Sequence, residues 1–188
     1  MKVLVVLSNY GTKNDPYLQR ISEEYRKMPY NVDLVVLSNI SKDLGPDIID
    51  LGDFERAWER LAGERFDCVL LSNILHLIPD PLRILSSFTE LLAPQGRVIA
   101  GVPNFGQLPI VWRRFRHDKD LESLGNYQQS RVHQTTHRVV RDWFQRCGLA
   151  VEKVVDTIPR RAQQVDRLSL GLAHSLLASE FVMVGRKV

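Results

Sequence analysis

The sequence predicts an α/β protein with a doubly wound, mostly parallel sheet. Three apolar runs each end in Ser-Asn: VVLSNY at 5–10, VVLSNI at 35–40 and VLLSNI at 69–74. Continuous Val/Leu runs are typical of parallel strands that are buried on both faces, and Ser-Asn suits the turn or helix start that follows a strand. The runs start 30 (5 to 35) and 34 (35 to 69) residues apart, which is the length of a strand–helix–strand unit. At 188 residues we expect a single domain, 1–188.

The remaining elements follow from helical periodicity and turn residues. After the N-terminal strand, six further strands are predicted, at 33–37, 47–51, 67–71, 97–102, 149–155 and 180–185. Helices are predicted at 15–28, 54–61, 81–92, 108–115 and from Thr135 or Thr136 to Cys147. Pro94-Gln95-Gly96 is expected to form a turn into the fifth strand, and Gly148 to follow the end of the last of these helices. The two final strands are joined by a longer connection and can form an antiparallel edge.

Composition excludes several classes of protein. The net charge is only +3 with a pI near 9.0, so nucleic acid is an unlikely partner. Cys68 and Cys147 are expected to be buried and reduced rather than paired. No apolar segment is long enough to span a membrane and no signal peptide is present, so no membrane partner and a cytoplasmic location are expected. The oligomeric state is left unknown, and no His/Cys cluster has the spacing of metal ligands.

Three later segments share motifs with a known family: NILHLIPDPLRIL at 73–85, LLAPQGRVIAGVPN at 91–104 and VHQTTHRVVRDWFQRCGLAVEKV at 132–154. Together they resemble the class I S-adenosylmethionine-dependent methyltransferases of the MetW-like and methyltransferase type 11-like kind. The phrase PNFG at 103–106, with His133 downstream, is especially similar to the MetW-type branch. The resemblance covers about 47–155. It implies a Rossmann-like sheet with strand order 3-2-1-4-5-7-6 and an antiparallel last strand. It also implies methyl transfer from S-adenosylmethionine to a small-molecule acceptor.

Residues 1–47 depart from this family. Its first strand ends in Asp-x-Gly-x-Gly, because glycine lets the backbone approach the cofactor, whereas this chain has LSNYGTKND and keeps only Gly11. Where the family has an acidic ribose ligand after strand two, this chain has Ser38-Asn39. The segment is also similar to the opening strand–helix–strand of a sugar-nucleotide glycosyltransferase. Two alternatives therefore stay open: a non-catalytic binding or scaffold protein on a degenerate methyltransferase fold, and a glycosyltransferase-related fragment.

The resemblance implies a set of cofactor-binding residues at strand ends: Ser8, Asn9, Gly11, Asn39, Asp53, Phe54 and Asn73. Asp53 is placed to accept from the adenine amino group, although it can equally cap the helix that starts at Phe54. Ser8, Asn9 and Gly11 can cradle the cofactor or simply turn the chain. His76 and His133 are the candidate catalytic bases, because imidazole titrates near neutrality; the alternative for each is a histidine with a structural role.

The stretch 105–134 is predicted to be a loop-rich cover of the active site. It holds a basic set with interleaved aromatic residues: Trp112, Arg113, Arg114, Phe115, Arg116, His117 and Lys119. This set can bind a phosphorylated or acidic substrate, or form a solvated face. Arg160, Arg161 and Arg167 have the same two interpretations, a substrate-binding set or a solvated face.

Overall fold

The computed structural model describes residues 1–7, 33–38, 48–50, 54–116, 127–168 and 173–188. These residues form one sheet with the strand order β3-β2-β1-β4-β5-β7-β6. The strands are β1 (Lys2–Leu7), β2 (Asp33–Ser38), β3 (Ile48–Asp50), β4 (Phe66–Ser72), β5 (Leu92–Pro103), β6 (Leu149–Thr157) and β7 (Glu180–Lys187). The pairs formed among β1 to β5 are all parallel, whereas β7 is antiparallel to both β5 and β6. The α/β Rossmann-like fold expected from the sequence is confirmed. For β2 and β3 only the backbone and its register are described.

Seven helices lie within the described ranges. They are α1 (Phe54–Leu61), α2 (Pro81–Glu90), α3 (Leu108–Phe115), α4 (Tyr127–Ser130), α5 (His137–Arg146), α6 (Gln163–Leu168) and α7 (His174–Leu177). Asp80 caps α2 by accepting a hydrogen bond from the Arg83 backbone N–H at 3.0 Å. Of the two threonines proposed as the cap of α5, Thr136 is the one used, because its hydroxyl accepts from the Val139 N–H at 3.3 Å. Gly148 follows the end of α5 with φ +72°, a conformation that favours glycine.

The core lies on both faces of the sheet. Its largest fully buried side chains come from β4, α2, α5 and β7: Phe66, Phe88, Phe144 and Phe181. Val3, Leu4, Val5 and Val6 of β1 are buried in succession, as expected of a strand covered on both sides. The apolar runs recognised in the sequence therefore became the central strands.

Several boundaries differ from the sequence-based expectations. The helix predicted at 81–92 ends at Glu90, because Leu92 pairs with Phe66 in the sheet. The turn expected at Pro94-Gln95-Gly96 lies within β5, where the pairing register shifts and Gln95 adopts φ +64°. The helix predicted at 15–28 falls outside the described residues. The expected loop-rich cover at 105–134 contains α3 and α4.

The two cysteines are free, as expected, but only half-buried. Burial raises the pKa of the Cys68 thiol to about 11 and also raises the pKa of Cys147. Both thiols are therefore protonated at neutral pH, and neither is an activated nucleophile. Among the helices that the structure describes, none has the length and apolarity needed to cross a bilayer.

Candidate functional site

The strand order reverses between β1 and β4, and this reversal locates the candidate site. From β1 the chain continues to β2 on one side, while β4 continues to β5 on the other. The ends of these strands are aligned, since Leu7 pairs with both Ser38 and Ser72, and Ser72 pairs with Gly101. In open α/β sheets such a reversal leaves a crevice at the carboxyl ends of the strands, where ligands bind. Among the described residues, the loop after β4 follows the strand end at this position.

Asn73 is the first residue after β4 and has a left-handed backbone, with φ +50°. Its N–H donates to the Gly101 carbonyl at 3.0 Å, which holds the start of the loop against β5. Asparagine tolerates this conformation better than most residues. The side chain is exposed, so its amide is free to meet a ligand at the crevice.

The loop from Asn73 to Asp80 is fixed by burial and by hydrogen bonds. Ile74 and Leu75 are buried in the core, and the Leu77 N–H donates to the Ile74 carbonyl at 2.9 Å. Asp80 then caps α2. A loop that is anchored at both ends keeps its exposed groups in one arrangement, which is what a binding site requires.

His76 lies in this loop, and its Nδ1 is buried without a hydrogen-bond partner among the described residues. Burial, and secondarily the neighbouring His133, lowers the pKa of His76 to about 4. The imidazole is therefore uncharged at neutral pH. A buried nitrogen with no partner is costly, and it offers a hydrogen-bonding position to a ligand.

His133 packs against the same loop and is held there by hydrogen bonds and ring contacts. Its backbone N–H donates to the His76 carbonyl at 2.7 Å, and its ring Nε2 donates to the Ile78 carbonyl at 2.9 Å. The ring stacks on Tyr127 at 4.3 Å and meets Trp143 edge-on at 5.7 Å between centroids. Because Nε2 carries a proton to reach a carbonyl, the basic nitrogen of neutral His133 is Nδ1.

The PNFG segment at 103–106 is held in the fold by hydrogen bonds and does not form an open site. Asn104 is buried, and its side-chain amide donates to the carbonyls of Ser175 (2.9 Å) and Ala178 (3.0 Å). Its Oδ1 accepts from the Gly106 N–H at 3.0 Å. Thr135 is likewise buried and donates from its hydroxyl to the Pro103 carbonyl at 2.5 Å. These bonds tie the end of β5 to the chain before α5 and to α7.

A chain of alternating histidines and aspartates lies at the same sheet edge, beyond β5. His137 Nε2 is 2.6 Å from Asp156 Oδ1, and His174 lies 4.0 Å from the other oxygen of Asp156. His174 Nδ1 is also 3.0 Å from Asp166 Oδ2. The chain connects α5, β6, α6 and α7. These four residues could not be predicted as a group from the sequence, because they are separated by up to 37 residues (137 to 174) and share no motif.

The structure brings together three of the predicted site residues, Asn73, His76 and His133. Five others, Ser8, Asn9, Gly11, Asn39 and Asp53, lie outside the described residues. Phe54 is the first residue of α1, and only its backbone is described. Within the described ranges, no group of three or more His, Cys, Asp or Glu side chains is placed to hold a metal ion. The sequence also contains an Asp-x-Asp tripeptide, Asp118–Asp120, which falls outside those ranges.

A depression of about 350 Å³ opens at the opposite edge of the sheet. It is lined by Arg65, Glu90, Leu92, Pro94, Gln95, Lys187 and Val188. These residues lie at the amino ends of β4 and β5 and at the carboxyl end of β7. The depression is thus separated by the length of the sheet from the edge at which parallel strands bind ligands.

Comparison with known proteins identifies the family of the chain. A family model described as "Methyltransferase domain" matches residues 9–154. No curated protein sequence matches the chain. The fold is similar to that of a SAM-dependent methyltransferase from Archaeoglobus fulgidus, at 14% identity over 99% of this chain and 86% of that chain, with a TM-score of 0.59.

Two further solved structures are similar. An S-adenosylmethionine-dependent methyltransferase from Mesorhizobium loti shares 16% identity over 99% of this chain and 90% of that chain, with a TM-score of 0.57. The N-methyltransferase NodS from Bradyrhizobium japonicum, solved with S-adenosyl-L-homocysteine, shares 13% identity over 99% and 77%, with a TM-score of 0.52. At these identities the likeness shows the fold.

Proposed function

This chain belongs to the methyltransferase domain family, and we propose that it transfers a methyl group from S-adenosylmethionine to a small-molecule acceptor. The observation that supports this most is the reversal of strand order between β1 and β4, with the anchored Asn73–Asp80 loop at the carboxyl end of β4. The family match extends to residue 9 and so includes most of the unusual N-terminal segment, which favours this function over a glycosyltransferase. The MetW-like assignment is a finer part of the same proposal.

The proposed cofactor contacts come from the loops that follow the parallel strands. Asn73 contributes an exposed amide, which can donate to and accept from a nucleoside or an amino-acid moiety. We propose that Ser8, Asn9, Gly11, Asn39 and Asp53, which follow β1, β2 and β3 in the sequence, and Phe54 at the start of α1 add to this set. The donor set fits a zwitterionic nucleoside ligand, because it combines neutral amides and a hydroxyl with one carboxylate.

The sulfonium of S-adenosylmethionine supplies an electrophilic methyl group when it is bound. The protein's own contribution is to hold acceptor and methyl carbon in line, and orientation of this kind supplies much of the rate in such reactions. A base is needed only where the acceptor carries a proton. We propose His76 Nδ1 as the group that receives it: the lowered pKa keeps the imidazole unprotonated at neutral pH, and it also makes His76 a weak base.

His133 is proposed to act as a positioning residue. It fixes the carbonyls of His76 and Ile78, so its loss is expected to loosen the loop that carries His76. With Nε2 donating, neutral His133 keeps a lone pair on Nδ1 and stays the second candidate for the base.

The alternative is a non-catalytic binding or scaffold protein on the same fold. It predicts a cooperatively folding domain that does not bind the cofactor. Binding of S-adenosylhomocysteine, the product form of the cofactor, therefore discriminates between the two functions.

Isothermal titration with S-adenosylhomocysteine tests the proposal. We expect the native chain to bind with a dissociation constant tighter than about 1 mM. Asn73→Gly removes the amide yet accepts the left-handed backbone, so we expect it to weaken binding about 3- to 10-fold, the equivalent of one hydrogen bond.

Gln95→Gly is the matched control. Gln95 also has a positive φ, at +64°, and its side chain accepts from Arg186 at 2.6 Å, but it lies at the opposite edge of the sheet. We expect native affinity from this variant. Equal weakening by both variants would remove Asn73 from the site, and no binding by the native chain would leave the scaffold alternative.

A further inference from the structure

Two residues, Tyr127 and His133, hold three successive carbonyls of the loop after β4. The His133 N–H donates to the His76 carbonyl at 2.7 Å, and the His133 ring Nε2 donates to the Ile78 carbonyl at 2.9 Å. Between them, the Tyr127 hydroxyl donates to the Leu77 carbonyl at 2.9 Å. Hydrogen bonds to consecutive carbonyls restrict the backbone dihedrals between them. The backbone of the loop is therefore fixed at the position of His76.

Tyr127 also sets the orientation of the His133 ring. The two rings are stacked, with centroids 4.3 Å apart and an angle of 18° between their planes. Trp143 of α5 meets the His133 ring edge-on, with 5.7 Å between the centroids. Aromatic rings attract one another at these separations in both arrangements. Tyr127 thus supports the loop twice, directly through the Leu77 carbonyl and indirectly through His133.

The chain between these two residues is itself hydrogen-bonded. Arg131 has a left-handed backbone, with φ +56°, and its N–H donates to the Tyr127 carbonyl at 2.8 Å. A left-handed residue with this bond ends a helix and turns the chain away. The Ser130 hydroxyl accepts from the Val132 N–H at 3.2 Å. These bonds let Tyr127 and His133 contact the loop as one unit.

The group that this unit places is the His76 side chain. Its Nδ1 is buried without a hydrogen-bond partner among the described residues. Burial, followed by the nearby His133, lowers the pKa of His76 to about 4. The environment of the imidazole therefore depends on how the loop lies against Tyr127 and His133, and a titration of His76 reports on that contact.

We propose that Tyr127 is a positioning residue of the site, which fixes the place of the His76 imidazole by holding the Leu77 carbonyl and the His133 ring. The catalytic meaning of this contact rests on the proposed methyl transfer, in which His76 receives the proton of the acceptor. Reacting groups need such support from hydrogen bonds and packing around them. The alternative is that Tyr127 adds only to packing, so that its loss lowers the free energy of unfolding and leaves the surroundings of His76 unchanged.

NMR titration of the histidine imidazoles in the full chain, without ligand, separates the two roles. The His76 signal is identified by its absence from His76→Asn. Tyr127→Leu removes both the hydroxyl and the aromatic ring, so we expect the proton affinity of His76 to rise at least about tenfold as its pKa moves toward that of an exposed histidine. Tyr127→Phe keeps the ring and loses only the hydroxyl, so we expect a smaller rise, at least about twofold.

Two control variants separate this contact from general loosening of the fold. Thr89→Val removes a buried hydroxyl that donates to the Leu85 carbonyl at 2.8 Å within α2. Arg131→Gly alters the segment between Tyr127 and His133 at a side chain that makes none of the three bonds to the loop, and glycine accepts the left-handed backbone. Both controls should leave the proton affinity of His76 at its native value. Circular dichroism checks that each variant folds, and Tyr127→Phe alone decides if Tyr127→Leu does not fold.

Two results would overturn the proposal. A His76 titration that stays native in the Tyr127 variants, with only the free energy of unfolding lowered, would leave Tyr127 a packing role. An equal rise in proton affinity in either control would assign the effect to general loosening. The titration needs no cofactor, so its failure leaves the proposed methyl transfer standing. Failure of the native chain to bind S-adenosylhomocysteine, measured separately, would remove methyl transfer without altering the contact between Tyr127 and the loop.

Discussion

At the scale of single residues, His76 connects the structure of the site to its chemistry. Its pKa is lowered to about 4, mainly because the imidazole is buried, whereas in the unfolded chain it is close to 6.5. Between these values the unfolded state binds a proton and the folded state does not. The contribution to stability is therefore complete above pH 6.5 and is lost as the pH falls toward 4.

This difference gives a pH prediction for His76. Between pH 7 and pH 4.5 the native chain should lose on the order of 2 kcal/mol more unfolding free energy than His76→Asn, which has a similar shape but does not titrate. Urea denaturation at both pH values measures it. Parallel losses in the two proteins would mean that His76 is not buried in its neutral form.

At the scale of elements, the packing of α5 on β7 depends on a glycine. A Cβ added at Gly185 would lie 2.8 Å from Cε1 of Phe144, closer still to its Cδ1, and 3.2 Å from the Leu149 Cβ. Phe144 is fully buried and cannot move aside without disturbing the core. At Gly101 of β5, the nearest atom to an added Cβ is Val182 Cγ2, at 4.0 Å.

Two alanine substitutions test this packing. Gly185→Ala should destabilise the protein by about 1–3 kcal/mol through overpacking. Gly101→Ala, also in a paired strand, should change stability by less than about 1 kcal/mol, because there is space for the methyl group. Thermal or urea unfolding of both variants gives the comparison. Equal stability of the Gly185→Ala and Gly101→Ala variants would mean that α5 does not pack against β7 as closely as in the structure.

At the scale of the whole molecule, the sequence predicted those parts of the fold that depend on local patterns. The buried runs of β1 and β4, the Thr136 cap and Gly148 at the end of α5 are all encoded by neighbouring residues. Strand ends were predicted less well. β7 continues through Arg186 and Lys187, two polar residues that carry no strand pattern but pair with Arg97 and Leu149.

The candidate site also combines features that a local sequence pattern predicts with features that it does not. Asn73 and the loop after β4 could be located from the motif, since a polar residue after a buried strand is a local feature. The structural role of His133 could not be predicted from the sequence, because it depends on the carbonyls of His76 and Ile78, which are more than fifty residues earlier in the chain. The His137–Asp156–His174–Asp166 chain was missed for the same reason.

The central claim is that an adenosyl ligand binds at the carboxyl ends of β1 and β4. A crystal structure of the full chain with S-adenosylhomocysteine tests it most directly. We expect ligand density in the crevice beside the loop that starts at Asn73, with the Asn73 amide within hydrogen-bonding distance. Density in the depression at Arg65 and Lys187, or none at saturating ligand, would contradict the claim.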